Sequence, residues 1–324
     1  MSGSGVRVAL IGFGNVGRSF LRLVHAKQAV FPFRIVGVHT RHGGAIDNNG
    51  LPPEPQLSPP AASVDEFLDA ARPEVAVEIT TLNPDTGEPA ISHIRSAFAR
   101  GQHVITANKG PIAHAYHCLS EDARRAGVEF RFESTVMDGA PVFNMMRNDL
   151  PGVTVNGFTG ALNSTTKVVL AAMRHGKTRA EGIAEAQKIG VAEADASHDI
   201  EGWDSAVKTA ALANVLMDAR VTPRDVERTG IEDVTVDRVC ELARKGKSIV
   251  LVSRAYQTDS GLRLRVRPEV LEDKDLLATV HGTSNVLMLH TDLMGTLGSV
   301  SITPGVPQTA YGLFSDLVDI ARTI

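Results

Sequence analysis

The N-terminal part of the chain alternates between short apolar runs and amphipathic stretches. A β-branched run at residues 6–11 ends in glycines, and residues 15–27 then place apolar side chains at near-helical spacing. A second apolar run at 33–39 predicts another buried strand. Strand, glycine turn, helix and strand in this order are typical of the opening unit of a doubly wound sheet. We therefore predict an α/β fold of the Rossmann type, with a parallel sheet.

The alternation continues to about residue 133, and the pattern changes from Pro141. The first part contains predicted helices at 64–71, 87–100 and 116–126, predicted strands at 74–79, 103–106 and 129–133, and a Gly- and Pro-rich surface loop at 43–62. The later part contains predicted helices at 180–187 and 205–218, predicted strands at 249–257, 262–268 and 285–292, and an amphipathic closing helix at 310–324. We expect a first domain at 1–137, completed by 304–324, and a second α/β domain with a mixed or antiparallel sheet at 138–303.

Length and composition agree with two globular domains and small-molecule chemistry. A chain of 324 residues exceeds the size at which one hydrophobic core usually stops growing. The net charge of −4 gives no basic surface for nucleic acid or an anionic membrane. The sequence shows no signal peptide and no apolar run long enough to cross a bilayer, so we expect a cytoplasmic protein. Its two cysteines lack a metal-ligand spacing, and its histidines form no HExxH pattern.

The glycine turn after the first strand is the clearest binding signal. GFGNVG fits the GxGxxG pattern between a strand and a helix, where the glycines permit a tight turn, close approach of a pyrophosphate and close helix packing. The alternative is a glycine turn that binds nothing. The predicted dinucleotide-binding residues are Gly12, Phe13, Gly14, Asn15, Val16 and Gly17.

Cofactor choice is normally decided after the second strand, where an acidic residue would bind the ribose hydroxyls. The sequence there is Val-His-Thr-Arg-His and offers Thr40 and Arg41 but no carboxylate. Arg41 could pair with a 2′-phosphate, which favours NADP over NAD. The alternative is that Arg41 is an ordinary solvated residue.

A carboxylate and an amine lie four residues apart in a predicted helix. Asp204 and Lys208 share a helix face, and a lysine oriented by a carboxylate can exchange a proton with an alcohol during hydride transfer. An ordinary surface ion pair would show the same spacing. Taken alone, this motif does not decide between the two.

Other polar residues raise the weight of the catalytic interpretation. Lys109, Thr80 and Thr81 follow predicted strands at the carboxyl edge of the first sheet, where ligands of open α/β folds collect. A cluster of carboxylates suited to a substrate ammonium precedes the Asp204 motif; its members are Glu193, Asp195, Asp199 and Glu201.

Eight segments occurring in order resemble the homoserine dehydrogenase family. They are GFGNVG, NPDTGEP, TANKGP, EST, GALNSTT, GVAEAD, DIEGWDSAVK and PGVPQTA, and they span the chain from its first strand to its last helix. The resemblance implies a Rossmann domain, a substrate-binding and dimerisation domain, and a homodimer. It also implies interconversion of L-homoserine and L-aspartate 4-semialdehyde in threonine and methionine biosynthesis. The chain resembles the short form, without a regulatory domain after Ile324.

The resemblance also assigns roles to residues. Lys208 would exchange the proton, Asp204 would contact and position the substrate, Glu193 and Asp199 would bind substrate, and Lys109 would sit between the nicotinamide and the substrate. The implied cofactor pocket includes Thr80, Gly190 and Gly305. A sodium-type ion would be bound at the segment that contains Glu133, Val136, Asp138 and Gly139.

Four positions depart from the family pattern. Ser164 and Lys167 replace an expected glycine and asparagine, and Met137 and Asp138 stand where glycines are expected. A paralogue that oxidises another small amino or hydroxy alcohol is therefore one alternative. A dinucleotide-binding sensor or scaffold without catalytic activity is another. An acylating aldehyde dehydrogenase is disfavoured because we expect both cysteines to be buried rather than nucleophilic.

Overall fold

Strands and helices alternate along the computed structural model of the protein, which describes residues 5–259 and 261–324. The strands are β1 (Arg7–Ile11), β2 (Arg34–His39), β3 (Gly44–Ile46), β4 (Val75–Glu78), β5 (His103–Thr106), β6 (Phe130–Arg131), β7 (Val155–Ala161), β8 (Glu227–Arg228), β9 (Lys247–Thr258), β10 (Gly261–Glu272), β11 (Asn285–Thr291) and β12 (Thr296–Ser301). The helices are α1 (Asn15–Lys27), α2 (Val64–Ala71), α3 (Ala90–Phe98), α4 (Lys109–Ala126), α5 (Phe143–Asn148), α6 (Ser164–Arg174), α7 (Arg179–Lys188), α8 (Ser197–Ile200), α9 (Trp203–Leu216), α10 (Val236–Ala243) and α11 (Val306–Ala321). Within this described part, no helix is both long and apolar enough to span a membrane.

The chain divides into two units. Unit 1 contains the described residues up to Phe143 together with Gly305–Ile324, and unit 2 is Asn144–Pro304. We predict the boundary at residue 137, six residues before the end of the first segment of unit 1. The side chain of Glu133 accounts for the difference, because its Oε1 accepts hydrogen bonds from the backbone N–H groups of Val142 at 2.6 Å and Phe143 at 3.1 Å.

The sheet of unit 1 has the strand order β3-β2-β1-β4-β5-β6. The pairs from β2 to β6 are parallel, which confirms the Rossmann-type fold, whereas β3 pairs antiparallel with β2. β3 lies inside the segment predicted to be only a loop. The chain passes to opposite sides of β1 for β2 and β4, so the carboxyl ends of β1 and β4 form the topological switch point where such sheets bind ligands.

The closing helix α11 completes the core of unit 1. Leu313, Leu317 and Ile320 are fully buried and belong to the same apolar cluster as residues of α1 and β1. The ring of Phe314 packs edge-on against those of Phe31 and Phe33, with centroids 5.4 and 5.8 Å apart. The C-terminal segment therefore packs on the N-terminal domain, as the sequence predicts.

The sheet of unit 2 has the order β12-β11-β7-β9-β10-β8. Its pairs are antiparallel except for the short β10–β8 pair, which fits the predicted mixed sheet. The sequence analysis did not predict β7, because glycines and an asparagine interrupt its apolar pattern. Those glycines are required by close packing: a Cβ on Gly157 would lie 2.5 Å from the carbonyl oxygen of Ala255.

Two helical details differ from the sequence expectations. We predict a helix from Tyr116, but α4 begins at Lys109 and has a non-helical backbone at Ala115, so its first turns form a separate segment. Gly110 and Pro111 weaken the helical signal there. The expectation that both cysteines are buried is wrong for Cys118, which is exposed on α4, whereas Cys240 is partly buried.

Candidate active site

The glycine turn has the geometry that a dinucleotide requires. Gly12 has a φ of 103°, and a Cβ there would lie 2.5 Å from the carbonyl oxygen of Ile79. A Cβ on Gly17 would meet the Ile79 side chain at 3.0 Å, so this position permits close packing of α1. Nothing lies within 4 Å of a Cβ on Gly14, which leaves space beside the N-terminus of α1. The turn combines tight packing on one side with an open face on the other.

The turn after β2 carries Thr40 and Arg41. The Thr40 hydroxyl donates to the carbonyl oxygen of Gly43 at 2.8 Å and accepts from the N–H groups of His42 and Gly43. Arg41 is exposed on this turn. The side chain of Thr40 therefore fixes the turn, while the guanidinium of Arg41 remains available to solvent or an anion.

Lys109 and the two threonines lie at the carboxyl edge of the unit 1 sheet. Lys109 is the first residue of α4, directly after the N-cap residue Asn108, whose side chain accepts a hydrogen bond from the Gly110 N–H at 3.1 Å. Thr80 follows β4 and is partly buried, and Thr81 is exposed. These residues are placed at the predicted edge within one unit.

Asp204 and Lys208 form a close ion pair in unit 2. The Lys208 Nζ lies 3.0 Å from the Asp204 Oδ2, and each side chain is only 15% exposed. The same Nζ donates to the carbonyl oxygen of Leu162, just after β7, at 2.7 Å. The backbone enters α9 through Gly202, which has a φ of 81°, and most of this helix is buried. A fixed carbonyl and a carboxylate therefore hold the ammonium group on a rigid helix.

A second carboxylate joins this pair through residues that the sequence analysis did not assign. The Nδ2 of Asn163 donates to the Asp199 Oδ1 at 2.6 Å and to the Asp204 Oδ2 at 3.0 Å. Its Oδ1 accepts from the Thr166 N–H at 2.8 Å and caps α6, which fixes the direction of the amide. The Thr165 hydroxyl donates to the Asp199 Oδ2 at 2.7 Å. In the sequence, the segment GALNSTT indicates only that Asn163 caps a helix, since Asn followed by Ser and Thr is a helix N-cap pattern.

The partly buried carboxyl group of Asp199 has a raised pKa. Burial raises its pKa above the ordinary value of 3.8, and the neighbouring Asp204 carboxylate raises it further. Hydrogen bonds from Thr165 and Asn163 act in the opposite direction, as does the charge of Lys208. Two carboxylates and one ammonium in a partly buried cluster can bind a cationic group and exchange a proton with a bound alcohol.

The remaining predicted residues occupy different surroundings. The Glu193 side chain is exposed, and its backbone carbonyl accepts a hydrogen bond from the Gln187 Nε2 at 3.1 Å. Gly190 follows α7 in unit 2 with a φ of 74°, and Gly305 is the N-cap of α11 in unit 1. The contacts that define the Asp204–Lys208 cluster do not include Glu193.

The predicted ion segment is tightly packed. Glu133 is 3% exposed, and its Oε1 accepts hydrogen bonds from two backbone N–H groups, those of Val142 and Phe143. Asp138 has a φ of 59°, the conformation that the expected glycine favours, and its Oδ1 accepts from the Thr309 hydroxyl at 3.3 Å. A Cβ on Gly139 would lie 2.2 Å from the carbonyl oxygen of Gln308. The aspartate thus keeps the glycine-like backbone of this segment.

Two further departures from the family pattern lie beside the cluster. The Lys167 Nζ donates to the Asn285 Oδ1 at 3.0 Å and to the carbonyl oxygen of Ala161 at 3.3 Å. The Ser164 hydroxyl lies 3.4 Å from the carbonyl oxygen of Thr283, to which it donates. Both side chains join α6 to the start of β11 and the loop before it.

Comparison with family models gives two matches along the chain. The model described as "Homoserine dehydrogenase, NAD binding domain" matches residues 12–133, and the model described as "Homoserine dehydrogenase" matches residues 141–318. Together they cover most of the chain and meet near the unit boundary.

Similar proteins carry related names. The chain is 34% identical to an NAD(+)-dependent homoserine dehydrogenase from Pseudomonas canavaninivorans, over 98% of this chain and 96% of that protein. It is 33% identical to the homoserine dehydrogenase of Methanocaldococcus jannaschii, over 97% of this chain and 98% of that protein.

Solved structures show the same fold. A homoserine dehydrogenase from Thiobacillus denitrificans is 27% identical with a TM-score of 0.85, covering 98% of this chain and 73% of that chain. A hyperthermophilic archaeal homoserine dehydrogenase in complex with NADPH is 26% identical with a TM-score of 0.83, covering 99% of this chain and 98% of that chain.

Proposed function

Because the chain belongs to the homoserine dehydrogenase family, we propose that it interconverts L-homoserine and L-aspartate 4-semialdehyde. It is an NAD(P)-dependent oxidoreductase acting on a CH–OH group. The observation that carries the catalytic part of the proposal is the partly buried Asp204–Lys208 pair, whose ammonium is held by a carboxylate and the Leu162 carbonyl.

Lys208 exchanges the proton in the proposed mechanism. During oxidation Lys208 first releases its own proton to solvent, and the neutral amine then accepts the proton of the substrate hydroxyl. During reduction its ammonium donates a proton to the oxygen of the new alkoxide. A nicotinamide cofactor, when bound, would supply the hydride chemistry at the carbon that carries this oxygen. Asp204 orients the lysine at 3.0 Å, and the Leu162 carbonyl limits its movement.

Carboxylates bind the ammonium group of the amino-acid substrate in this proposal. The Nδ2 of Asn163 donates to both Asp199 and Asp204, so two carboxylates lie close together. A substrate cation would relieve the repulsion between them. On the family resemblance, we also propose Glu193 for substrate binding and Lys109 for catalysis.

The glycine turn of unit 1 fits a dinucleotide. The open space beside Gly14 admits a pyrophosphate, and the N–H groups at the start of α1 would hold it. Phe13, Asn15 and Val16 complete this turn. Thr80, Thr81, Gly190 and Gly305 are the further residues proposed for the cofactor pocket.

We propose NADP as the preferred cofactor on the basis of Arg41. The guanidinium is exposed on a turn that holds no carboxylate, so it can pair with a 2′-phosphate. Replacing Arg41 by Ala is expected to lower kcat/KM with NADPH about tenfold and to leave kcat/KM with NADH unchanged. Arg22→Ala, at an exposed position of α1, serves as the control. Equal effects on both cofactors would contradict the assignment of Arg41.

Assembly, ion binding and location extend the proposal. We propose a homodimer, supported by exposed apolar side chains around β12, namely Leu293, Met294, Val300 and Ile302. Light scattering would then give twice the chain mass of 34.5 kDa.

A sodium-type ion at Glu133, Val136, Asp138 and Gly139 stays a prediction, and no catalytic step is assigned to it. Cytoplasmic location also stays a prediction.

Substrate identity is tested with a panel of alcohols. Saturable oxidation is expected with L-homoserine, measured by NADPH or NADH absorbance, and much lower kcat/KM with other short amino and hydroxy alcohols. Faster turnover of another alcohol would favour the paralogue suggested by Ser164 and Lys167. Cofactor binding without turnover of any alcohol would favour a sensor.

A further inference from the structure

Glu78 is a fully buried carboxylate that the mechanism above does not use. It is the last residue of β4 and lies in one row of the sheet with Ile11 of β1 and Thr106 of β5. An isolated carboxylate in the interior is strongly unfavourable unless hydrogen bonds stabilise it. Its partners therefore indicate why this position carries an acid.

Glu78 accepts hydrogen bonds from Thr80 and Thr106, which lie at the carboxyl edge of the sheet. Its Oε1 accepts a hydrogen bond from the Thr80 N–H at 3.0 Å and a second from the Thr80 hydroxyl. Its Oε2 accepts from the Thr106 hydroxyl at 2.9 Å. The carboxylate thus joins the residues that follow β4 to the end of β5.

Asn108 closes these contacts into a ring. Its N–H donates to the Thr106 hydroxyl oxygen at 2.9 Å, and its Nδ2 donates to the Thr80 carbonyl at 3.3 Å. Its Oδ1 accepts from the Gly110 N–H and caps α4. The main chain of Lys109 is therefore held on both sides, by Asn108 before it and Gly110 after it.

We propose that Glu78 is a positioning residue that holds Thr80 and Lys109 in place for the nicotinamide cofactor. This inference rests on the proposed function, since Thr80 and Lys109 take part in the reaction only if the cofactor binds at this edge. We call the four residues Glu78, Thr80, Thr106 and Asn108 the edge ring.

The chemistry of the edge ring favours an ionised acid. One N–H and two hydroxyl groups donate to the two carboxylate oxygens, and hydrogen bonds to both oxygens stabilise the ionised acid. Burial raises the pKa of Glu78, which means that keeping its charge inside the protein costs free energy. The hydrogen bonds from Thr80 and Thr106 lower the pKa and oppose that rise. An apolar residue would avoid this cost but would leave the three donors without an acceptor.

The test compares Glu78→Gln with Glu74→Gln. Glutamine keeps the size of Glu78 but replaces one acceptor by a donor, so the three hydrogen bonds cannot all persist. Glu74 precedes the same strand at the opposite edge, where its exposed carboxylate accepts from the Arg7 N–H at 2.9 Å. We expect Glu78→Gln to weaken NADPH binding, followed by cofactor fluorescence, and to lower kcat, each about tenfold. Glu74→Gln should change neither.

A second pair of variants keeps the proposal testable if Glu78→Gln does not fold. Thr106→Ser retains the hydroxyl that donates to Glu78 and accepts from Asn108, whereas Thr106→Val removes it. We expect Thr106→Ser to match the wild type and Thr106→Val to weaken NADPH binding and lower kcat about tenfold. Equal values for Ser and Val variants would overturn the proposal.

The wild-type assay separates this inference from the proposed function. If the wild type does not oxidise homoserine, the proposed function fails. The inference about Glu78 is then tested by comparing the NADPH affinity of Glu78→Gln with that of the wild type. If the wild type is active and the Glu78→Gln variant folds with wild-type kcat and NADPH affinity, the inference about Glu78 fails by itself. A lower melting temperature with unchanged kcat and affinity would likewise assign Glu78 a structural role only.

Discussion

At the residue scale, one sequence spacing occurs in two contrasting environments. Asp204–Lys208 and Glu241–Lys245 are both carboxylate–lysine pairs separated by four positions on a helix. The first pair is 15% exposed at each side chain, whereas the second is 41% and 60% exposed. The spacing is therefore the same in a partly buried pair and in a solvated one, and only the exposure of the side chains separates them.

Removing the two lysines tests this distinction. Lys208→Ala is expected to lower kcat for homoserine oxidation by about 10²- to 10⁴-fold, the usual contribution of a general acid or base. NADPH affinity, measured by fluorescence titration, should remain at the wild-type value. Lys245→Ala is the matched control and should leave kcat unchanged. Wild-type turnover by Lys208→Ala would overturn the proposed mechanism.

The raised pKa of Asp199 predicts how the unfolding free energy depends on pH. Its pKa is raised in the folded protein by burial and by Asp204, so the folded state binds this proton more tightly than the unfolded state. The unfolding free energy of the wild type should therefore fall relative to Asp199→Asn as the pH rises from about 3.8 through the raised value. Denaturant unfolding across this range measures the difference. The groups facing Asp199 are Asp204, Lys208, Thr165 and Asn163.

A difference between wild type and Asp199→Asn that does not change with pH, or that grows in the opposite direction, would contradict the raised pKa. Asp195→Asn gives a comparison, because Asp195 is exposed and the Ser197 N–H lowers its pKa instead. The unfolding free energy of the wild type should therefore rise relative to that of Asp195→Asn as the pH rises towards 3.8.

Sequence reasoning reached only part of the unit 2 cluster. Asp204 and Lys208 could be paired because helical geometry brings positions four apart together. Asn163 and Thr165 could not be assigned, because they precede and begin α6 and reach Asp199 across more than thirty positions of sequence. Such contacts depend on how α6 and α8 pack, which no local pattern specifies.

At the element scale, the strand–turn–helix unit around GFGNVG was predictable in detail. α1 begins and ends at the predicted residues, because the apolar spacing and the glycines give the same boundaries. β7 was not predicted because it contains Gly157 and Gly160, which have low β-propensity. Both are needed where β7 packs closely against β9 and β11. β3 was missed because it is three residues long and lies in a segment rich in Gly and Pro.

Two glycine variants test the function of this turn. Gly14→Ala should fold with an unchanged melting temperature, because nothing lies within 4 Å of the new methyl group, yet it should weaken NADPH binding about tenfold or more by filling the pyrophosphate space. Gly12→Ala should lose both stability and binding, because its φ is 103° and the methyl group would clash with the Ile79 carbonyl. Thermal melts and fluorescence titrations check both.

Wild-type NADPH affinity in a folded Gly14→Ala variant would place the cofactor elsewhere. Gly101→Ala is a control for cofactor binding only: its Cβ also has open space and it lies on the turn after α3, but its φ of 68° means that this variant should be less stable. It should leave NADPH affinity unchanged.

At the scale of the whole molecule, unit 1 is assembled from both ends of the chain. α11 closes its apolar core, and Glu133 ties the residues before the boundary back to that unit. The sequence predicted the return of the last helix from its amphipathic pattern. The predicted boundary at residue 137 lies six residues before Phe143, and the Val142 and Phe143 N–H groups in this stretch both donate to Glu133.

The central claim is that the Lys208 amine exchanges the proton of an alcohol while hydride passes between the alcohol carbon and a nicotinamide cofactor. The most direct test is a single turnover of L-homoserine deuterated at its alcohol carbon, with mass spectrometry of the reduced cofactor. We predict that deuterium appears on the nicotinamide ring in the wild type and that its transfer slows at least a hundredfold in Lys208→Ala. Reduced cofactor without deuterium, or equal transfer rates in both proteins, would contradict the account.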